Sequence, residues 1–394
     1  MALKLPSRDL IASFDSSDID LADAQTLPPE CYTDADFYEF EKEALYYHEW
    51  LCVGRESWVK NPGDYFTTNI AGEPIVVARG RDGKVNAMSS VCAHRAMLVA
   101  EGSGNTRMFL CPYHHWAYGL DGKLTGAPAM EKTCNFNKEE HGLTRFAVEI
   151  WHGFIFVNFD LDAAPLAPRL TDVSDAIAGY DLANADGDKP EKPGVFPWNW
   201  KVMFENNNDG YHASKLHQGP LHDFVPSDLA MLKAFLACEA AEALQSFQVI
   251  WDRNCTQLTS LERAVLEHLE SHYGKLGEDD WGRIIARTNA FQEAPLFIDD
   301  SQDTGVLVAP GASKHPSFGH KMEMNMVAAM HIIDQDMHVD ELVQVGLRSK
   351  FAPRGRYSWQ EGAQIQFNRW LIKRYRDAYD RLTGSHLKAV KGAA

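Results

Sequence analysis

Basic residues are scarce: 38 Lys and Arg stand against 55 Asp and Glu, a formal net charge of −17 over 394 residues. That balance argues against nucleic acid or an anionic membrane as the main partner, because both would be repelled by the surface. No stretch reaches eighteen consecutive apolar residues, and the first thirty lack the apolar run of a signal peptide. The expectation is a soluble, cytoplasmic protein with no membrane span. Cysteine is sparse too, with seven residues spread thinly along the chain, which suits reduced thiols and metal ligation better than a disulfide framework. Internal repeats and low-complexity tracts are missing. What is present is length for two domains and 45% hydrophobic residues, enough for a substantial core.

Along the chain, Thr33 and Asp34 can cap a helix carrying Phe37, Phe40, Leu45 and Trp50 on its apolar side. From Gly63 the pattern turns to short β-rich runs, "DYFTTNI", "EPIVVARG" and "KVNAMSSV", then "RMFLC", "FAVEIW" and "FIFVNFD", separated by turn signals such as Gly72-Glu73-Pro74 and Asp82-Gly83. Residues 161–197 are rich in Pro, Asp and Ala and read as a connecting segment with one short helix. The sequence therefore divides into an N-terminal segment with its helix (1–50), an all-β domain (51–160), the connector, and a C-terminal domain (198–394). In the last, helices are expected near 199–217 and 258–275, a strand at "TGVLVAP", and two helices at the C-terminus, the final one behind the capping-box letters "SWQE" at 358–361.

Residues 92–115 open with "CAH" and close with "CPYHH". Each loop offers one thiol and one imidazole, Cys92 with His94 and Cys111 with His114. Zinc is the plainer use of two Cys and two His, but zinc ribbons usually pair two CxxC-type knuckles. Here one iron can take both cysteines and the other both histidines, the ligand set of a Rieske [2Fe-2S] centre, which moves single electrons. Pro112 keeps the second loop tight, and Tyr113, Trp116 and Tyr118 can shield the cluster and hydrogen-bond its sulfurs. His115 has no counterpart in the pattern and is not read as a ligand. Cys31, Cys52, Cys134, Cys238 and Cys255 have no nearby metal-type partners.

An electron carrier alone would leave more than two hundred residues unexplained. Residues 205–217, "ENNNDGYHASKLH", contain His212 and His217. Five residues apart, roughly 140° around an ideal helix, they converge on one metal only if the helix is distorted or ends between them. Two histidines with one carboxylate make the facial triad of non-haem Fe(II), which leaves positions open for dioxygen and substrate. The carboxylate candidates are Asp209, one turn before His212, and a downstream acid within "HIIDQDMHVDELVQVGLRS" at 331–349: Asp334, Asp336 or Asp340.

Cys-x-His, sixteen residues, Cys-Pro-Tyr-His, then Asn-Trp-Lys, "EN", "DGYH" and His217, an acid ahead of "QVGLRS", and a closing "FNRWL": together these resemble the large (alpha) subunit of Rieske non-haem iron ring-hydroxylating oxygenases, over residues 29–217 and 331–373. The resemblance implies an α+β fold, with an N-terminal all-β Rieske domain and a helix-grip-like catalytic domain of antiparallel sheet flanked by helices. It implies that His212, His217 and Asp336 hold a mononuclear Fe(II) and that Asn206 lies near it. By the same resemblance, Asp209 links an iron-bound histidine to a Rieske histidine of the next subunit. His115 and Ala96 stand where many members have Gly, and residues 218–330 match poorly.

That family uses O2 and electrons from a separate NAD(P)H-dependent reductase, in some members through a ferredoxin, and assembles as a homotrimer or with a small β subunit. The expected activity is hydroxylation of a small organic substrate, an aromatic compound first, as in aromatic hydrocarbon catabolism. A quaternary amine such as choline, betaine or carnitine is the alternative, and an electron-transfer protein without oxygenase activity is the alternative of another class.

Overall fold

The computed structural model describes residues 3–177, 182–185, 195–208, 210–217 and 318–384. Ten strands lie between residues 51 and 158: β1 (Leu51–Arg55), β2 (Asp64–Ile70), β3 (Glu73–Arg79), β4 (Val85–Ser89), β5 (Ser103–Asn105), β6 (Phe109–Leu110), β7 (Ala117–Tyr118), β8 (Leu124–Gly126), β9 (Arg145–Trp151) and β10 (Phe154–Asn158). Seven form one sheet in the order β1-β10-β9-β4-β3-β2-β5, and β6-β7-β8 form a second. Every pairing is antiparallel.

The tight turns explain the registers. Ile70 pairs with Glu73 across Ala71-Gly72, and Trp151 with Phe154 across His152-Gly153. All four turn residues have positive φ, the mirror-image hairpin geometry that matches the twist of the flanking strands. The turn thus sits one residue earlier than Gly72-Glu73-Pro74 suggests, and Pro74 is already in β3 opposite Asn69. "GSGNT" supplies β5, an edge strand on β2.

Eight α-helices are described: α1 (Arg8–Ser13), α2 (Glu30–Thr33), α3 (Ala35–Glu41), α4 (Thr171–Ile177), α5 (Trp200–Asn207), α6 (Gly210–Leu216), α7 (Phe318–Leu347) and α8 (Gly362–Thr383). Asp34 caps α3 by accepting from the Asp36 N–H. The helix continues as one π-turn over Lys42–Tyr46 and stops, so Trp50 lies beyond it and donates to the Ala164 carbonyl instead, 2.8 Å. Ahead of α8 the Glu361 carboxylate accepts from the Ser358 N–H, one half of the capping box. The expected helix over 199–217 is two helices with a break after Asn207. The helix expected at 258–275, the strand "TGVLVAP" and the antiparallel sheet of the catalytic domain fall outside the described residues.

One apolar core joins the N-terminal segment, the large sheet, α5 and α8, with Phe14, Phe37, Phe40, Ile75, Ile155, Val202, Phe367 and Tyr375 inside it. At its centre the Glu41 carboxylate takes two hydrogen bonds from Lys201 Nζ, at 2.8 and 3.0 Å, one from Trp200 Nε1 at 3.0 Å, and one from Tyr375 OH. Glu41 and Lys201 are fully buried. Arg354 ties the far end of the chain to the Ser13 and Thr26 carbonyls and to Ser17. Among the described residues no helix is long and apolar enough to cross a membrane.

Candidate metal centres

A second core, containing Val76, Met88, Phe109, Trp116, Tyr118 and Leu143, encloses the sulfur side of two loops. The loops are built alike. In the first, the Cys92 N–H donates to Met97 O and the Ala96 N–H to Cys92 O; in the second, the Cys111 N–H donates to Trp116 O and the His115 N–H to Cys111 O, all at 2.8 to 2.9 Å. Closing each loop this way drives its fifth residue into the left-handed region, Ala96 at φ 56° and His115 at φ 57°, where glycine carries the least strain. At both positions the chain carries a side chain where a glycine would sit unstrained.

Cys92 and Cys111 are buried free thiols. The His94 and His114 rings meet with centroids 4.6 Å apart, and Trp116 stacks on His94 at 4.8 Å with 9° between planes. His94 Nδ1 and His114 Nδ1 are buried without a hydrogen-bond partner. Orphaned ring nitrogens of this kind need an acceptor of their lone pairs; two of them beside two thiols fit the donor set of a [2Fe-2S] cluster. Burial pushes the Cys92 thiol up, but hydrogen bonds from Tyr118 OH, the His94 N–H, Cys111 and the Arg95 N–H outweigh it and hold the thiol below its ordinary value. Tyr118 OH lies 3.1 Å from Cys92 Sγ and accepts from the Ala93 N–H. His114 is lowered by desolvation and by its neighbours His94 and Arg95, which favours the neutral imidazole a metal requires. Tyr113 packs on His114 from the solvent side, and His115 is exposed.

The second cluster forms where α5–α6 meets α7. Because α6 ends at Leu216, His217 turns back, and the His212 and His217 rings stand 5.2 Å apart at 70°. Asp336 Oδ1 lies 3.1 Å from His217 Nε2 and 3.5 Å from His212 Nε2. Ligand atoms of these three residues all lie within 4.8 Å of one another. His217 Nδ1 bonds Gln335 Oε1 at 2.9 Å, which assigns the ring proton to Nδ1 and leaves Nε2 as a lone pair. That lone pair faces Asp336 Oδ1, which is buried without a hydrogen bond. Two acceptors 3.1 Å apart repel unless a cation lies between them, so the trio fits a divalent metal.

Of the other acids considered, Asp334 is exposed, and Asp340 is buried and accepts from Asn206 Nδ2 at 3.0 Å. Burial, with Asp336 adding, pushes the Asp340 carboxyl up to about 6, against the hydrogen bond from Asn206 and the nearby His212. Asp209 lies outside the described residues. Sequence reasoning missed Gln335, whose only signal was its place beside Asp336, and Gln344, which accepts from the Asn199 N–H at 2.7 Å.

Fold and sites together define a two-domain iron protein in which a one-electron centre is joined to a mononuclear metal site. The Rieske [2Fe-2S] domain family matches residues 49–145, and the catalytic domain of ring hydroxylating alpha subunits matches 176–253 and 301–377. The chain carries both domains of a Rieske ring-hydroxylating oxygenase alpha subunit and belongs to that family; its cofactors are a Rieske [2Fe-2S] cluster and mononuclear iron. It is 34% identical over 202 residues to the carnitine monooxygenase oxygenase subunit of Acinetobacter pittii, covering 50% of this chain and 53% of the relative. To the large oxygenase component of salicylate 5-hydroxylase from a Ralstonia species it is 36% identical over 210 residues, 48% of each chain. The chain thus spans about half the length of the curated relatives it matches. The apo structure of a quaternary ammonium Rieske monooxygenase superposes over 94% of this chain and 99% of the other with a TM-score of 0.64 at 20% identity, a likeness of fold.

Proposed function

We propose that the protein is the terminal oxygenase component of a multicomponent system, hydroxylating a small organic substrate with O2 and electrons from a separate reductase. The observation that carries this reading is the trio His212, His217 and Asp336 in the same chain as the Cys92/His94 and Cys111/His114 loops. The reading assigns 51–160 to the electron-storing domain, 161–197 to a connector and 198–394 to the catalytic domain.

Each residue then has a task. Cys92, Cys111, His94 and His114 hold the cluster, and Tyr118 sets the charge on Cys92 through its hydrogen bond. His212, His217 and Asp336 would hold Fe(II), and the bound iron would supply the site for O2 activation. Gln335 keeps the His217 proton on Nδ1 and its Nε2 toward the metal. Asn206 and Asp340 fill the buried space beside the trio. Asp209 is the proposed bridge between His212 of one subunit and a Rieske histidine of the next, in a cytoplasmic homotrimer. Electrons come from an NAD(P)H-dependent reductase, directly or through a ferredoxin.

An aromatic compound is the substrate class proposed first, and a quaternary amine the second; the relatives named above include one of each kind. Reductase-coupled oxygen uptake, screened against aromatic acids and quaternary amines, separates them. Uptake coupled to hydroxylated product in one class identifies it. A chain that cycles its Rieske centre with no substrate-dependent uptake in either class is an electron carrier, and the oxygenase reading fails.

A further inference from the structure

We propose that Asp340 and Gln344 are positioning residues for the metal site: with Asp336 they form one polar stripe on α7 that fixes its height against α5 and α6. This rests on the reading of His212, His217 and Asp336 as the iron site. Asp336, Asp340 and Gln344 are four residues apart, so they share one face of the helix at steps of about 6 Å. Each meets a partner further along the facing chain. Gln344 accepts from the Asn199 N–H at 2.7 Å, Asp340 accepts from Asn206 Nδ2 at 3.0 Å, and Asp336 meets His217 Nε2 at 3.1 Å. As α7 runs back from 344 to 336, the partners run forward from 199 to 217, an antiparallel ladder.

The lower rungs are built for this. Asp340 and Gln344 are 1% and 2% exposed. Asn199 is the N-cap of α5, its side chain holding the Lys201 N–H, so Gln344 engages the first turn of the helix that leads to the histidines. Gln344 Nε2 also reaches the Tyr32 carbonyl at 3.3 Å. The hydrophobic effect is non-directional, whereas hydrogen bonds are directional and add to the packing in holding one register. A shift of α7 by one turn, about 5.4 Å, would break every rung and carry Asp336 out of reach of both imidazoles. An apolar side chain at 340 would cost less to bury than a carboxylate with one oxygen unpartnered, and the register it fixes is the reason for the acid.

The test is metal affinity, read on the full chain with its Rieske centre loaded and the mononuclear site emptied by chelator. Co(II) is the probe, since its visible bands report coordination geometry. Asp340→Leu is expected to weaken Co(II) binding 10- to 100-fold, the range for lost outer-shell partners, and to change the bands, while Rieske absorbance stays as in the parent. Asp340→Asn keeps an oxygen for Asn206 Nδ2 and is expected to bind close to the parent. Should Asp340→Leu lose its Rieske absorbance, the exchanged pair Asn206→Asp with Asp340→Asn decides, because it restores the same hydrogen bond with donor and acceptor reversed. Parent-like affinity in Asp340→Leu, or affinity in Asp340→Asn as weak as in Asp340→Leu, or no recovery in the exchanged pair, overturns the proposal. A parent chain that binds no Co(II) at the trio overturns the iron-site reading as well.

Discussion

At the scale of single residues, the two centres depend on side chains that the motif letters name and on others they do not. Tyr118 belongs to the first kind: its hydroxyl meets Cys92 Sγ at 3.1 Å. The sulfur is more negative in the reduced cluster, so the hydrogen bond favours reduction. Tyr118→Phe is expected to lower the Rieske potential by on the order of 50 mV, the equivalent of about 1.2 kcal/mol for one electron, with little loss of fold; a spectroelectrochemical titration reads it. An unchanged potential would mean that this hydroxyl does not tune the cluster. Cys92, His94, Cys111 and His114 were legible because their spacing is a chemical statement. Gln335 and Gln344 were not, since a glutamine on a helix has many uses until the facing helix is known. The choice among Asp334, Asp336 and Asp340 was open for the same reason: Asp334 lies about 200° around the helix from Asp336 while Asp340 shares its face, and only packing decides which carboxylate reaches the histidines.

At the scale of elements, hairpins and helices follow local rules that the sequence displays, and their joins follow tertiary demands that it does not. The β-rich runs became strands because alternation and turn residues agree. The helix over 199–217 broke in two after Asn207, and the end of its second half at Leu216 lets two histidines five apart converge. Its N-terminal half, α5, is anchored by Lys201 on Glu41, a pair with both side chains fully buried. Glu41→Gln leaves the Lys201 ammonium without its counter-charge and is expected to destabilise the fold by about 3 to 5 kcal/mol. Replacing the pair together with apolar residues is expected to cost much less. Chemical denaturation of the single and double variants checks this, and equal losses in both would show that the pair acts through packing alone. Nothing in the letters announced this pair, since Glu41 and Lys201 are 160 residues apart.

At the scale of the whole molecule, the N-terminal segment, α5 and α8 share one core, and the half-buried acid Glu205 lies among them. It accepts from Tyr32 OH at 2.6 Å. Burial, with Asp340 and Glu361 adding, outweighs that bond and Lys201 and pushes its carboxyl from 4.5 up to about 7. Between those values the folded chain keeps a proton that the unfolded chain has released. Its contribution to stability therefore falls as pH rises from about 4.5 to about 7 and is level above that. Glu205→Gln is expected to remove this slope, gaining about 2 kcal/mol at pH 8 relative to the parent once partial exposure is discounted. Denaturation midpoints at pH 5 and pH 8 measure it; a gain of equal size at both would show that the carboxyl's titration is not the cause. The central claim, that one chain holds a Rieske cluster and a separate iron on His212, His217 and Asp336, is tested most directly by counting iron in the parent and in Asp336→Ala. The account predicts about three irons per parent chain, two in the cluster and one at the trio, and about two in Asp336→Ala with the Rieske EPR signal unchanged. Iron retained in full by Asp336→Ala, or a colourless parent holding stoichiometric zinc, would contradict it.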